Sequence, residues 1–348
     1  MVGIALLTLV PGYVGGSEWY ARELLRGLAS VGELDYRVLA NELAPDVGGR
    51  LPTEVAKGYR VSGGRARRLA SLAEATLRPG PLRGLLGDVD LVHYPLTVPV
   101  PRVSAPTVLT LHDVQHRDLP ALTPRAERAY RALAYDVAAR RADRVIVLSE
   151  FAKRRALATL GLREDRVRVV HSGVDHARFH PGDEQRKPFL FYPAKAWPHK
   201  NHGRLFEAFA LVRRDCPELR LVLTGGGFTS VPDGVEALGI VSGDELALLY
   251  RTASAMVFPS LYEGFGLPPL EAMASGCPVA CSDAASLPEI TGDAARLFDA
   301  NDPSSIADGI RDVLDHPDEW RERGLARAAQ FSWDATARAT EAVYRELL

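Results

Sequence analysis

FPSLYEGFGLPPLEAMASGCP, running from Phe258 to Pro278, decides how the rest of this 348-residue chain reads. The apolar run Ala255–Phe258 leads into it as a buried strand. A glycine turn follows, and Pro268 and Pro269 then open a helix that stops at Gly276. Proline is tolerated in a first helical turn, where its missing N–H would lack a partner in any case. The backbone N–H groups of Gly266 and Leu267 therefore point out of a helix N-terminus, a place suited to phosphate. Glu263 and Glu271 flank the turn, eight residues apart. Carboxylates accept hydrogen bonds from hydroxyls, so a phosphate cradle is paired with two polyol acceptors, and a sugar nucleotide has both features. The blander reading makes Glu271 a complement to the helix dipole and Glu263 a solvated loop residue. It is the weaker one for a pair that brackets a glycine turn and a double proline.

Outward from this stretch, short apolar runs alternate with amphipathic helical segments. Val2–Val10, Tyr36–Asn41, Leu91–Tyr94, Thr107–Leu111, Arg144–Leu148 and Val167–Val170 read as strands, with helices at Glu18–Leu28 and Arg125–Arg140. After His180-Pro181-Gly182 the pattern restarts, with strands at Phe189–Tyr192, Leu219–Leu223, Val235–Leu238, Ala255–Phe258 and Val279–Ala280. Such alternation predicts parallel sheets with right-handed crossovers, here two in tandem. The expected division is 1–182, 183–333 and a last helix, 334–348, returning to the first domain. Open parallel sheets bind ligands beyond the carboxyl ends of their strands, which makes the strand-to-helix junctions the places to search.

Composition excludes several classes. The chain is 47% hydrophobic and 25% charged with a formal net charge of -2, ordinary for globular domains. Cys216, Cys277 and Cys281 form neither a disulfide framework nor a zinc set, and a reducing, cytoplasmic compartment is expected. No apolar run approaches the ~18 residues of a membrane span, and Met1–Val10 reads as a first strand and not as a signal peptide. Charge is uneven: 26 Lys/Arg against 19 Asp/Glu over residues 1–180, and 16 against 25 over the remainder. The basic half is expected to face a different partner from the acidic half. Lys57, Lys153, Lys187, Lys195 and Lys200 are the only lysines, so each position is informative.

Glu263–Glu271 with its surroundings resembles the E-x7-E motif of the retaining glycosyltransferases of family 4, which have the GT-B fold. The segment Tyr192-Pro-Ala-Lys-Ala-Trp-Pro-His-Lys-Asn-His202 resembles the opening of the nucleotide-binding domain in the mannosyltransferase-like, group 1 members. Val241-Ser-Gly-Asp-Glu-Leu246, Ser286-Leu-Pro-Glu289 and Gly292-Asp-Ala-Ala295 add to the likeness. What the resemblance implies is an α/β chain of two Rossmann-like domains facing a deep cleft. In it Glu271 would hold the nucleotide ribose and Glu263 would contact the donor sugar. The backbone of Gly264, Phe265, Gly266 and Leu267 would line sugar and diphosphate, and Lys200 would neutralise the departing diphosphate. Lys195 would assist, although relatives often carry arginine or a polar residue there. Gly15-Gly16 would be the glycine-rich loop approaching the diphosphate, and His112, after the strand Thr107–Leu111, would lie against the donor sugar. In Val170-His-Ser-Gly-Val-Asp175, His-Ser, with Ser172, replaces the usual asparagine.

The activity so implied is transfer of a hexose, with mannose favoured, from a nucleotide-diphosphate sugar to an acceptor hydroxyl of a glycan, glycolipid or small glycoside. Retention of anomeric configuration and independence of metal are part of the expectation, with no cofactor beyond the nucleotide sugar itself and no nucleic acid partner. Arg65, Arg67, Arg68, Arg78 and Arg83 stand in a Gly/Arg/Pro-rich stretch, 63–87. They would meet an anionic acceptor or a membrane surface, or serve as an ordinary solvated loop. The competing readings are an epimerase or phosphorylase of the same architecture and a non-catalytic binder of sugar nucleotides. Elsewhere plainer roles are expected: Cys277 and Cys281 as core residues, Ser149 as a helix N-cap, Ser242 with Glu245 as a capping box, and Asp113 as a site residue or merely a cap.

Overall fold

The computed structural model describes residues 1–12, 15–59 and 79–348; Arg65, Arg67, Arg68 and Arg78 lie outside them. Among the described residues the strands are β1 (Val2–Ala5), β2 (Tyr36–Asn41), β3 (Thr53–Ala56), β4 (Leu91–Tyr94), β5 (Thr107–Leu111), β6 (Arg144–Val147) and β7 (Val167–Val169), then β8 (Lys187–Pro193), β9 (Arg220–Thr224), β10 (Val235–Ala237), β11 (Ala253–Phe258), β12 (Val279–Ser282) and β13 (Arg296–Phe298). They form two wholly parallel sheets, in the orders β3-β2-β1-β4-β5-β6-β7 and β10-β9-β8-β11-β12-β13. In both, the chain works outward in one direction and then returns to the middle to work outward in the other, the Rossmann strand order. The interior strands β1, β4 and β12, each paired on both sides, are buried along their whole length, as a parallel sheet covered on both faces requires.

The chain divides into two compact units, Met1–Gly173 with Trp333–Leu348, and Val174–Ser332. The first break therefore falls nine residues before the expected position 183. Residues 174–182 pack with the second unit: Val174 makes a parallel bridge to Ser332, and Phe179 is buried against Tyr250 with ring centroids 5.8 Å apart. His180-Pro181-Gly182 marks a turn within that unit. The helix Trp333–Arg345 packs along the helix Gly16–Val31 of the first unit, and its Glu341 accepts hydrogen bonds from the Tyr36 hydroxyl and the Glu33 N–H.

Two further departures have local causes. The first strand ends at Ala5, although Leu6, Leu7 and Leu9 are as buried as the strand itself. The Asn41 amide donates to the carbonyls of Leu7 and Leu9 at 2.9 and 2.6 Å, so a side chain satisfies this backbone in place of a ladder. The edge strands β3 (TEVA) and β13 (RLF) are too short and too polar to announce themselves by periodicity. Between β4 and β5 the chain crosses over residues 95–106 without a helix. The stretch 125–141 is helical as expected, with a π-helical turn at Ala132–Asp136.

The turn after β9 sets a close approach. Gly225 has φ +101°, and a Cβ there would stand 2.9 Å from the Ala194 carbonyl carbon and the Lys195 nitrogen. At Gly226 a Cβ would meet nothing within 4 Å. Gly225→Ala is expected to cost about 1–3 kcal/mol of stability and Gly226→Ala well under half of that. Thermal midpoints of the two variants check it, and equal midpoints would refute the assignment.

Candidate functional site

In an open parallel sheet the crevice lies where the strand order reverses, beyond the carboxyl ends of the two central strands. For the second sheet those are β8 and β11. The chain leaving β8 carries Lys195 and Lys200; the chain leaving β11 carries Glu263 to Leu267. Topology and motif thus converge on the same two loops.

The loops are joined by side chains. Lys200 Nζ pairs with Glu263 Oε1, both side chains mostly buried at 13% and 16% exposure. The ammonium also lies 5.3 Å from the Phe258 ring centroid. An ammonium has three N–H donors, so the pair leaves donors over for a second anion. The backbone of Lys200 is held as well: its carbonyl accepts from the Tyr192 hydroxyl at 2.7 Å. Asn201 follows at φ +60°, buried, with its amide donating to the carbonyls of Pro259 and Ala300. Asparagine adopts this left-handed conformation more readily than most residues. Lys195 lies 5.4 Å from the exposed Trp197 ring.

On the β11 side, Ser286 Oγ donates to the carbonyls of Glu263 and Phe265 at 3.0 and 2.6 Å, which fixes the glycine turn. Gly266, at φ +114°, precedes the helix Leu267–Ala274 with Pro268 and Pro269 in its first turn. Glu271 lies one turn inside that helix. It is buried and accepts from the Tyr250 hydroxyl at 3.1 Å. Burial pushes its carboxyl up to about 7, opposed by the Tyr250 hydrogen bond and the nearby Arg178 charge, and reinforced by Asp175.

In the first unit the crevice rule points to the loops after β1 and β4. Gly15, at φ +59°, caps the helix Gly16–Val31, whose first turn carries Glu18. The Glu18 carboxylate accepts the Gly12 N–H at 2.8 Å. His112 follows β5, and its Nε2 lies 2.8 Å from the Pro95 carbonyl. A carbonyl can only accept, so Nε2 carries the proton and a neutral ring keeps a lone pair on Nδ1. Burial lowers the His112 pKa, which favours that neutral form, and the Tyr20 ring stands edge-on at 5.0 Å. Asp113 sits one residue before the N-cap Val114; its carboxylate accepts the Gln115 N–H and meets Arg131. Ser172 is buried.

Residues that pattern reading passed over include Asn201, Tyr250, Ser286, Arg178 and Gly225. Asn201 and Ser286 sit inside recognisable motifs, but nothing in spacing marks them as braces. Tyr250 and Arg178 reach Glu271 from distant segments, which only the fold reveals. Cys277 and Cys281 are buried, with thiols pushed up to about 11 and about 12. Ser149 caps its helix and Ser242 with Glu245 forms a capping box. Among the described residues no three His, Cys, Asp or Glu side chains gather as a metal site. Among the same residues no helix is long and apolar enough to cross a membrane.

Comparison with known proteins gives the following. Residues 174–330 match the family model described as glycosyl transferases group 1, and residues 14–178 match the model described as glycosyltransferase family 4. An α-(1→4)-mannosyltransferase of Mycolicibacterium hassiacum is 31% identical over 77% of this chain and 73% of its own. O-antigen chain mannosyltransferase B of Escherichia coli is 29% identical over 74% and 75%. Among solved structures, sucrose-phosphate synthase of Thermosynechococcus elongatus superposes with a TM-score of 0.79 at 20% identity, covering 99% of this chain and 98% of that one. Anabaena HepE in complex with UDP and glucose superposes at 0.73 and 16% identity, covering 99% of each chain. At such identities the structures show a shared fold.

Glu271 gives a pH signature. Its folded pKa of about 7 exceeds the ordinary 4.5, so between those values the folded chain binds the proton more tightly than the unfolded chain. Stability carried by this group is present below about pH 4.5 and is lost as pH rises through about 7. Glu271→Gln should remove that slope and raise the thermal midpoint at pH 8 relative to the parent. A parallel pH profile in both proteins would sink the assignment.

Proposed function

This chain belongs to the group 1, family 4 glycosyltransferases, and from that premise we propose a metal-independent, retaining hexosyltransferase that uses a nucleotide-diphosphate sugar. The observation that carries the reading is the Lys200–Glu263 pair at the strand-order reversal, beside the N-terminus of the helix Leu267–Ala274. Cleavage of the bond from the anomeric carbon to the diphosphate oxygen leaves negative charge on that oxygen. Lys200 has N–H donors left to meet it, and the Gly266 and Leu267 N–H groups suit the adjoining phosphate. Lys195 adds positive charge on the same loop, and Gly15-Gly16 lets backbone come close to an anion.

Glu263 accepts from hydroxyls of the hexose while its other contact holds Lys200. Neutral His112, in the first unit, offers Nδ1 as an acceptor for a sugar hydroxyl. Glu271, once ionised, accepts from the ribose hydroxyls, with Tyr250 as its buried support. The acceptor hydroxyl attacks from the face the diphosphate leaves, and its proton passes to a leaving phosphate oxygen. No side chain then needs to form a covalent intermediate. The acceptor is a hydroxyl of a glycan, glycolipid or small glycoside. Mannose as the hexose is supported by the relatives named mannosyltransferases.

The test is a thermal-shift series without metal, using GDP-mannose, UDP-glucose, UDP-GlcNAc, ADP-glucose and dTDP-glucose. Ligand at 100 times its Kd stabilises by about 2.7 kcal/mol. Stabilisation by GDP-mannose that disappears in Glu271→Ala is the expected result; indifference to all five would overturn the reading.

Turnover supplies a second check. Lys200→Ala should lower kcat by roughly 10²–10³-fold, the size of a lost charge-stabilising group, measured on protein shown to be folded by circular dichroism. Undiminished kcat in both Lys200→Ala and Glu263→Ala would exclude the proposed roles.

A further inference from the structure

The first unit has an opening that this chemistry does not use. A parallel crossover usually places a helix on the sheet, yet residues 95–106 cross from β4 to β5 as an irregular chain carrying Pro95, Pro99, Pro101 and Pro106. Between this crossover and the helical stretch 125–141 lies a cavity of about 690 Å³. Tyr94 and Leu109 line it from the sheet, Val98 and Val100 from the crossover, and Ala134 and Val137 from the helix. Small side chains on the helix keep it open. Leu133, at its lining, is 75% exposed.

The polar lining is basic. Arg102 and Arg141 both border the cavity, and neither guanidinium has a hydrogen-bond or ion-pair partner among the described residues. The acidic neighbour, Asp143, is already engaged by the Thr107 N–H and hydroxyl, at 2.8 and 3.2 Å. An apolar trough with two unneutralised cations complements a molecule with a hydrocarbon body and an anionic head. The volume falls in the range of about 300–1,000 Å³ typical of single-molecule sites, so it suits one chain.

Position separates this trough from the reacting groups. Thr107 opens β5 and His112 follows its last residue; at ~3.3 Å per residue the two ends lie roughly 17 Å apart. A head group at Arg141, beside Asp143, is thus at the amino ends of β5 and β6, the end opposite His112. We propose that the cavity seats one acyl chain of an anionic phospholipid, with the phosphate against Arg102 and Arg141, and that it anchors the protein without presenting an acceptor.

The experiment titrates the full chain with dodecyl phosphate below its micelle concentration, with dodecanol, and with inorganic phosphate, read by calorimetry. Dodecyl phosphate should bind at least tenfold more tightly than either fragment. Ala134→Trp, which fills the trough, and the exposed double substitution Arg102→Ala/Arg141→Ala should each weaken it at least fivefold. Flotation with phosphatidylglycerol vesicles should recover the parent chain and lose both variants. The nucleotide-sugar response should survive in them, since it reports a different site. Equal affinity in the parent and Ala134→Trp, or phosphate alone binding as tightly as dodecyl phosphate, would overturn the proposal. So would vesicle binding that depends on the arginines and ignores Ala134→Trp, because that describes adsorption to a charged surface. The arginine pair keeps the test decisive if the tryptophan variant misfolds.

Discussion

The side-chain amide of Asn201 donates two hydrogen bonds inside the second unit, to the carbonyl of Pro259 at 3.2 Å and to that of Ala300 at 2.7 Å, and the candidate site takes its shape from them. Three loops meet at this amide: those leaving β8, β11 and β13. Each bond contributes only about 1 kcal/mol net, but a buried carbonyl left without its donor costs roughly 1–3 kcal/mol. The arrangement is therefore all or nothing. Two more contacts act in the same direction, the Leu261 N–H to the His199 carbonyl and the Tyr192 hydroxyl to the Lys200 carbonyl. Lys200 consequently meets Glu263 as part of a braced frame, with little freedom for its backbone to drift.

That frame separates two carboxylates of the same sequence motif into different electrostatic settings. Glu263 has an ammonium partner in a mostly buried contact, where losing one member would strand the other. Glu271, eight residues on and one turn inside the next helix, has a tyrosine hydroxyl and the more distant Arg178 in an apolar surround. A charge-paired carboxylate can hold a cation ready, whereas one poised near neutrality suits a neutral polyol. Environment, and not residue type, divides the work between them.

Much of this was legible from pattern alone. Proline placement and the glycine turn located the helix Leu267–Ala274, and alternation of apolar runs located both sheets. What stayed hidden has physical reasons. Edge strands such as Arg296–Phe298 carry polar residues because one side is solvated. The Leu6–Leu9 segment is apolar enough for a strand, yet Asn41 bonds its carbonyls from a neighbouring element. The unit boundary escaped notice because Pro181-Gly182 is a conspicuous turn, while the true break is set by Val174 and Phe179 packing on elements far along the chain. Braces such as Tyr250 and Ser286 are defined by tertiary proximity, which a local reading cannot supply.

The first unit is assembled from two stretches separated by the whole of the second. Inside it, His93 is fully buried with Nδ1 2.7 Å from the Tyr344 hydroxyl and Nε2 2.8 Å from Thr110 Oγ1, and Gly27 packs so closely on Trp333 that a Cβ would come within 2.8 Å of its carbonyl oxygen. At a synthesis rate of about 5–20 residues per second, residues 174–332 occupy the ribosome for on the order of ten to thirty seconds after Gly173 is made. For that interval the first sheet waits without the helix Trp333–Arg345 and with the His93 imidazole missing its tyrosine. The second unit, being continuous, can close first. The order of folding can thus run against the order of synthesis, the second unit closing while the first still lacks its last helix.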